Sequence, residues 1–101
     1  MDLPDERIIE ILKPILMERT AFVYLDTRMK EKGERLAMGN REYAAPFEGY
    51  FIFADLMPGA NWGHPAKGIF VSPEGDKVHS IDMEFPPFFG EPPESYRKIS
   101  I

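Results

Sequence analysis

The chain has 101 residues, which is enough for one domain with a modest hydrophobic core and too few for two. With 44% hydrophobic and 29% charged residues, its composition is that of a globular protein and argues against a disordered chain. Its 12 basic and 17 acidic residues give a net charge of −5 and it has no cysteine, so a basic surface for nucleic acid or anionic membranes is missing, and disulfides, Fe–S clusters and thiol chemistry are excluded.

The N-terminal segment predicts an amphipathic helix, because its apolar residues recur at the spacing of one helix face. Pro4 suits the first turn of a helix, and the acidic Asp5 and Glu6 suit its positive end. Pro14 lacks the N–H that an interior helical residue donates, so we expect a kink there, or a break followed by one further turn to about Arg19. The apolar residues of this face are Ile8, Ile11, Leu12 and Ile15.

Strand patterns follow the helix, and the short links between them favour an antiparallel meander over parallel crossovers. Residues 50–54 form an unbroken apolar and aromatic run, as expected for a central strand covered on both faces. Residues 35–38 are interpreted as the hairpin return of the first strand, and residues 39–46 as a loop with room for a turn of helix. The turn at 73–76 joins the last two strands. The predicted strands cover residues 21–29, 35–38, 49–57, 67–72 and 77–85.

These elements predict a single α+β domain that spans residues 1–101. In it the N-terminal amphipathic helix packs on a four- or five-stranded, mainly antiparallel meander sheet. Residues 85–101 follow as an extended tail rich in proline and aromatic residues, because a run of prolines cannot join the interior of a sheet.

The aromatic residues of this tail need cover from some apolar surface. Phe85, Phe88 and Phe89 either fold back on the sheet of their own chain or insert into a neighbouring subunit. We therefore treat these three phenylalanines as a candidate association surface and expect the protein to form a homodimer.

Charged residues interrupt the first predicted strand and the turn after it. Asp26 and Arg28 share a strand face with Tyr24 and are interpreted as a half-exposed surface ion pair of little energetic weight, or as a patch for a partner. Residues 30–35 are interpreted as a solvated charged turn, in which Gly33 takes the left-handed conformation.

The loop at 58–65 is the candidate binding site. It concentrates Asn61, the single tryptophan Trp62 and His64 in a connection rich in glycine and proline. One interpretation is a rigid turn in which Trp62 covers the end of the core. The other is a small binding or catalytic mouth, with Trp62 as a stacking face and the two polar side chains as contacts. Asp55, at the end of the preceding strand, either accepts bonds from loop amides or forms an acid–base dyad with His64.

Motifs for catalysis and for metal or cofactor binding are missing from the sequence. Ser72 and Ser80 are candidate nucleophiles, but neither lies in a Gly-x-Ser-x-Gly elbow. His79 is interpreted as a core or rim residue, and the two histidines with Asp55 or Asp82 match no zinc-binding spacing. We therefore expect no metal site and no cofactor.

The sequence thus favours a small non-enzymatic interaction module that acts through protein–protein association. The alternative is a small-molecule-binding protein or a hydrolase with its site at residues 55–65. Charged residues among the first sixteen break any signal-peptide or membrane-span pattern, so we expect a cytoplasmic protein without nucleic-acid or membrane partners.

Overall fold

The computed structural model describes residues 3–17, 22–38, 41–56, 66–83 and 93–99. Within these ranges five strands form an antiparallel sheet in the order β6–β5–β4–β1–β7, and β2 and β3 form a separate hairpin. The prediction of an α+β fold with a mainly antiparallel sheet is confirmed. Helix α1 spans Asp5–Leu16, and strands β1 to β7 span Phe22–Lys30, Arg35–Met38, Arg41–Ala44, Gly49–Asp55, Ala66–Val71, Val78–Met83 and Tyr96–Ile99.

Two strand pairings differ from the prediction. Strand β2 does not return along β1 but pairs with β3, which lies in the segment interpreted as a loop. Each of these strands has four residues, too few for a clear alternation, although Leu36 and Tyr43 lie opposite each other and pack against the main sheet. Strand β7 arises within the predicted tail, after Pro93, and pairs with β1 at the sheet edge. The sheet is therefore a meander across β4, β5 and β6.

Helix α1 ends at Leu16. Met17 adopts a left-handed conformation with φ 53° and donates its N–H to the carbonyl of Lys13, which ends the helix there. The further turn predicted to reach Arg19 lies outside the described residues. Pro14 lies in the last turn of the helix, so only a few helical backbone hydrogen bonds follow it along the chain. At the other end Pro4 is the cap residue, and its carbonyl accepts the first helical N–H groups.

The main core lies between α1 and one face of the sheet, and we call this the helix face. The helix contributes the apolar stripe predicted from its sequence, and the strands contribute alternate residues, as the two-residue period of a strand requires. Burying one such leucine or isoleucine fully stabilises the fold by about 1.5–3 kcal/mol. The buried members are Ile8, Ile11, Leu12, Leu16, Val23, Leu25, Tyr50, Ile52, Ala54, Ile69, Val71 and Ile99.

The opposite side of the sheet, which we call the aromatic face, carries a second core. Phe51 and Phe70 are fully buried there with ring centroids 5.2 Å apart, a normal separation for a packed aromatic pair. The β2–β3 hairpin covers part of this face, so β4 is buried on both sides, as its sequence predicts for a central strand. The other buried members are Ala45, Phe53, Ala66 and Met83, with Tyr24, Leu36, Tyr43, Phe47, Ile81 and Tyr96 packed against them.

Glycine is required at two turning points of this arrangement. Gly33 has a φ of +85°, which confirms the left-handed conformation expected in the turn after β1. At Gly49, where β4 begins, an added Cβ would lie 2.1 Å from the carbonyl oxygen of Val71. A side chain at Gly49 would therefore push β5 away from the start of the central strand.

Candidate functional site

The loop and tail residues named from the sequence lie outside the described ranges. Asn61, Trp62 and His64 belong to the segment between β4 and β5, and the candidate association surface belongs to the segment between β6 and β7. The binding mouth, the dyad with His64 and the aromatic tail surface therefore stay predictions. The members of that tail surface are Phe85, Phe88 and Phe89.

Asp55 is described, and it is the last residue of β4. It is half-buried on the aromatic face, opposite Phe22 of β1 and Ala66 of β5. Burial raises the pKa of the nearby Tyr24 hydroxyl above its usual value of 10.0, and the charge of Asp55 raises it further. The carboxylate thus lies where the chain leaves the sheet toward the 57–65 segment.

Asp55 and His79 are not brought together. His79 of β6 lies opposite Phe70, and Phe70 lies opposite Phe51, which is four residues before Asp55 on β4. Four residues of strand span roughly 13 Å, and β5 lies between the two side chains. His79 also faces the opposite side of β6 from Asp82, so these residues do not form a shared site.

Ser72 is used by the turn between β5 and β6. Its hydroxyl donates to the Asp76 carboxylate at 2.6 Å and accepts the N–H of Lys77 at 2.9 Å. The bond from Ser72 lowers the pKa of Asp76 below 3.8. The hydroxyl therefore holds the turn closed. The carboxylate beside it is a weak base because its pKa is lowered, so the arrangement does not resemble an activated nucleophile.

A buried ion pair on β1 corrects two predictions from the sequence. Lys30, expected in a solvated turn, donates to the Oδ2 of Asp26, and the side chains of the lysine and the aspartate are 3% and 5% exposed. The Oδ1 of Asp26 accepts the N–H of Arg28 at 3.0 Å. The guanidinium of Arg28 is exposed and binds Glu34 at 2.6 Å, so the expected surface pair of Asp26 with Arg28 is wrong.

An irregularity in β1 explains why the sequence misled here. The register between β1 and β4 shifts between Asp26 and Lys30, so simple alternation fails over these residues. Asp26 lies opposite Tyr96 of β7 and Phe51 of β4, and burial and the Asp26 charge together raise the pKa of Tyr96. The spacing of opposite charges at Asp26 and Lys30 was a usable signal, but it gives no information on burial.

Two cavities are lined by described residues. One of about 110 Å³ lies under the start of α1, where Arg97 at its lining binds Asp5 through both nitrogens at 2.9 and 3.1 Å. The other, of about 440 Å³, lies beside the turn that Ser72 closes and is lined by acidic residues and Lys77. Arg97 in the first cavity and Ser72 and Asp76 in the second are engaged by other protein groups.

The outer edge of β6 offers a different kind of site. Ser72 donates its N–H to the Lys77 carbonyl directly after the Val71–Val78 pair. Bonded and non-bonded pairs alternate in an antiparallel ladder, so the backbone groups of Val78, Ser80 and Asp82 point away from β5. No described residue pairs with this side of β6. Within the described ranges, the edge therefore presents N–H and C=O groups at alternate residues.

Within Val78–Met83 this edge also lacks three features that protect many edge strands. Lysine, proline and bulges are common at such edges because they prevent pairing with another chain. Strand β6 contains neither residue, and its register with β5 is unbroken over Val78–Met83. Most of its side chains are exposed, and Val78 is 42% exposed.

Metal and membrane features are not found in the described part of the chain. It contains no cluster of three His, Asp or Glu side chains that could hold a metal ion. Within the same ranges no helix has the length and apolar character needed to cross a bilayer. No protein-family model matches this sequence, and no curated protein or solved structure is significantly similar to it.

Proposed function

We propose that the protein is a small association module that binds an extended segment of a protein partner along the outer edge of β6. The observation that carries this proposal is the regular strand Val78–Met83, in which the backbone N–H and C=O groups of Val78 and Ser80 point away from β5. In strand addition, main-chain bonds supply affinity and alternate side chains supply specificity. The proposal keeps the cytoplasm as the place of action.

The two faces of β6 would favour different side chains in a bound segment. On the aromatic face His79 and Ile81 flank the edge, and Ile81 packs against the aromatic core. On the helix face Val78, Ser80 and Asp82 flank it, and Asp82 is bonded to Lys67 at 2.6 Å. An apolar residue would suit the first side, and a small or polar residue the second.

The experiment is a selection of random displayed peptides on the immobilised full chain. Ser80→Pro removes an N–H that points away from β5 and leaves the β5 ladder intact, whereas Ser80→Ala keeps that N–H. Peptides should bind the wild type and Ser80→Ala with similar Kd and bind Ser80→Pro at least about tenfold more weakly, which is about 1.4 kcal/mol.

Hydrogen exchange locates the bound peptide in the same samples. The Val78 and Ser80 amides should exchange more slowly with peptide than without it. Peptides that bind Ser80→Pro as well as the wild type, or that protect other amides, would contradict the proposal, as would a selection that yields no binder. Circular dichroism checks that the proline variant keeps the fold.

A second candidate function is small-molecule binding at residues 55–65. Two observations favour it. Asp55 is half-buried near Tyr24, and burial together with the Asp55 charge raises the pKa of the tyrosine. Asp55 also lies where the chain enters the segment that contains the single tryptophan. The test is fluorescence of that tryptophan across a metabolite panel, with Asp55→Asn as the matched variant. A ligand that quenches the wild type and not the variant would support this function, and an unchanged signal throughout would contradict it.

A further inference from the structure

We infer that the segment paired with β6 is the β6 strand of a second copy of this chain. This inference rests on the proposed function and names its partner. All pairs in the five-stranded sheet are antiparallel. A two-fold axis perpendicular to the sheet would place two β6 strands side by side in the same antiparallel sense, and it would join the two sheets into one.

The position of the axis follows from the backbone. A perpendicular two-fold axis keeps the helix face of one copy next to the helix face of the other. An even-numbered residue of β6 therefore pairs with an even-numbered residue of the other copy, and an odd-numbered residue with an odd-numbered one. Centring the axis on Ser80 pairs Ser80 with its own copy and Val78 with Asp82 of the other copy. In this register the two Ser80 residues form a bonded pair, which exchanges both N–H···O=C bonds.

The charges of β6 are compatible with pairing to itself. Its acidic residue Asp82 is already bonded to Lys67 of the same chain, and the strand contains no lysine or arginine. On the other edge strand, β7, Arg97 is bonded to Asp5, but Lys98 lies over the neutral Phe22 ring and keeps its positive charge, which would repel the same residue of a second copy. Self-pairing is therefore expected at β6 rather than at β7.

The side chains that meet across the axis are small or apolar on both faces. On the helix face the Ser80 hydroxyls of the two copies lie opposite each other, where each can donate to and accept from the other. On the aromatic face His79 lies opposite Ile81 of the other copy, which extends the covered apolar surface. A six-residue edge buries less surface than the roughly 1,200–2,000 Å² of a stable complex, so we expect a weak dimer.

The first test is sedimentation velocity of the full chain over a range of concentrations. The wild type should shift from monomer to dimer as concentration rises, and Ser80→Ala should do so with less than about a tenfold change in Kd. Ser80→Pro should stay monomeric with an unchanged circular dichroism spectrum. A wild type that is monomeric at every concentration overturns self-pairing, while the peptide selection still decides whether β6 binds other segments.

The second test uses the absence of cysteine in the natural chain, so an engineered thiol has no competitor. Two residues that form a hydrogen-bonded pair in an antiparallel ladder have Cα atoms about 5.5 Å apart, which is within the range of a disulfide. Ser80→Cys should therefore cross-link two copies on mild oxidation. Val78→Cys is the matched control, because four residues of strand place its two copies roughly 13 Å apart.

The outcomes of this test are distinct. Efficient cross-linking of Ser80→Cys with little cross-linking of Val78→Cys supports the register. Cross-linking of Ile81→Cys in preference to Ser80→Cys would move the axis by one residue and overturn the register. Equal cross-linking at all three positions, or a dimer in the Ser80→Pro variant, would show that the copies associate through another surface and would overturn the inference.

Discussion

The two edges of the sheet are built in opposite ways. The edge formed by β7 is short and is held by residues distant in sequence: Arg97 binds Asp5, and the ammonium of Lys98 lies 3.9 Å from the ring centroid of Phe22. Thr27 adds two bonds from its N–H and hydroxyl to the Ser95 carbonyl, each 2.7 Å long. The edge formed by β6 is longer, and the ion pair of Asp82 with Lys67 joins it to its own hairpin neighbour.

This difference separates stability from association. Long-range contacts at β7 join the two ends of the chain, so damage there should reduce the stability of the whole domain. The exposed side chains of β6, at Val78, His79, Ser80 and Asp82, lie outside the two cores, so changes there should leave stability almost intact and act on binding. The predictions below test this division.

The largest effect is expected from the buried ion pair beside β7. Asp26→Ala would leave the Lys30 ammonium buried without its carboxylate, and it should lower the free energy of unfolding by about 3–5 kcal/mol. Urea denaturation of the wild type and the variant measures this loss. A domain of this size has about 5–15 kcal/mol in total, so the variant would be close to unfolding.

A double variant provides the control for that prediction. Asp26→Leu combined with Lys30→Met removes both charges and keeps much of the volume, so it should recover most of the stability lost in Asp26→Ala. If the double variant is as unstable as Asp26→Ala, the loss reflects packing around Asp26 rather than an unpaired buried charge.

The next largest effect compares one residue on each edge strand. Ile99 of β7 is 3% exposed and packs in the main core, so Ile99→Ala should cost about 2–5 kcal/mol. Val78 of β6 is 42% exposed, so Val78→Ala should change stability by less than about 0.5 kcal/mol. Urea midpoints give both values. Similar losses at the two positions would remove the distinction between the edges.

A smaller effect is expected where β6 joins the rest of the sheet. An added Cβ at Gly68 of β5 would lie 2.7 Å from the Met83 sulfur, 2.9 Å from Phe51 and 3.0 Å from Ile81. Gly68→Ala should therefore destabilise the domain by about 1–3 kcal/mol through overpacking. In the double variant Gly68→Ala/Met83→Ala the side chain at the closest contact is shorter. The overpacking caused by the added Cβ should therefore be partly relieved. An unchanged urea midpoint in Gly68→Ala would show that the flexible methionine simply moves aside.

Much of the fold could be predicted from the sequence because periodicity reports which residues are buried. The stripe in α1 and the apolar run at 50–54 both correspond to buried surfaces. Strands β3 and β7 were not predicted. Strand β3 has four residues, too few for a clear alternation, and β7 follows a run of prolines and depends on a partner far along the chain, β1.

The candidate site was less predictable, for two physical reasons. The burial of Asp26 and Lys30 depends on a register shift and on cover from other strands, which local sequence does not encode. An open edge depends on sheet order, because Val78–Met83 would have the same sequence in the middle of a sheet. The residues with the clearest sequence signal, among them Trp62 and His64, lie outside the described ranges.

The smallest effect concerns the ion pair that fastens β7 to the helix. Two bonds from Arg97 lower the pKa of Asp5 below 3.8, and burial opposes this shift only in part. A carboxylate with a lowered pKa in the folded state stabilises the fold above its unfolded pKa, and this contribution is lost as the pH falls through the folded value. Stability should therefore decline at acid pH.

Asp5→Asn tests this contribution at matched shape. The variant should be slightly less stable than the wild type at neutral pH, and the difference in urea midpoint should close as the pH is lowered to about 2. High salt should also reduce this difference in urea midpoint, because the ion pair of Asp5 with Arg97 is exposed to solvent and salt screens it. Asp76→Asn, on the β5–β6 turn, should show the same direction of pH dependence, since Ser72 lowers the pKa of Asp76. If the Asp5 difference is independent of pH, the carboxylate acts through shape alone, and charge does not fasten β7 to the helix.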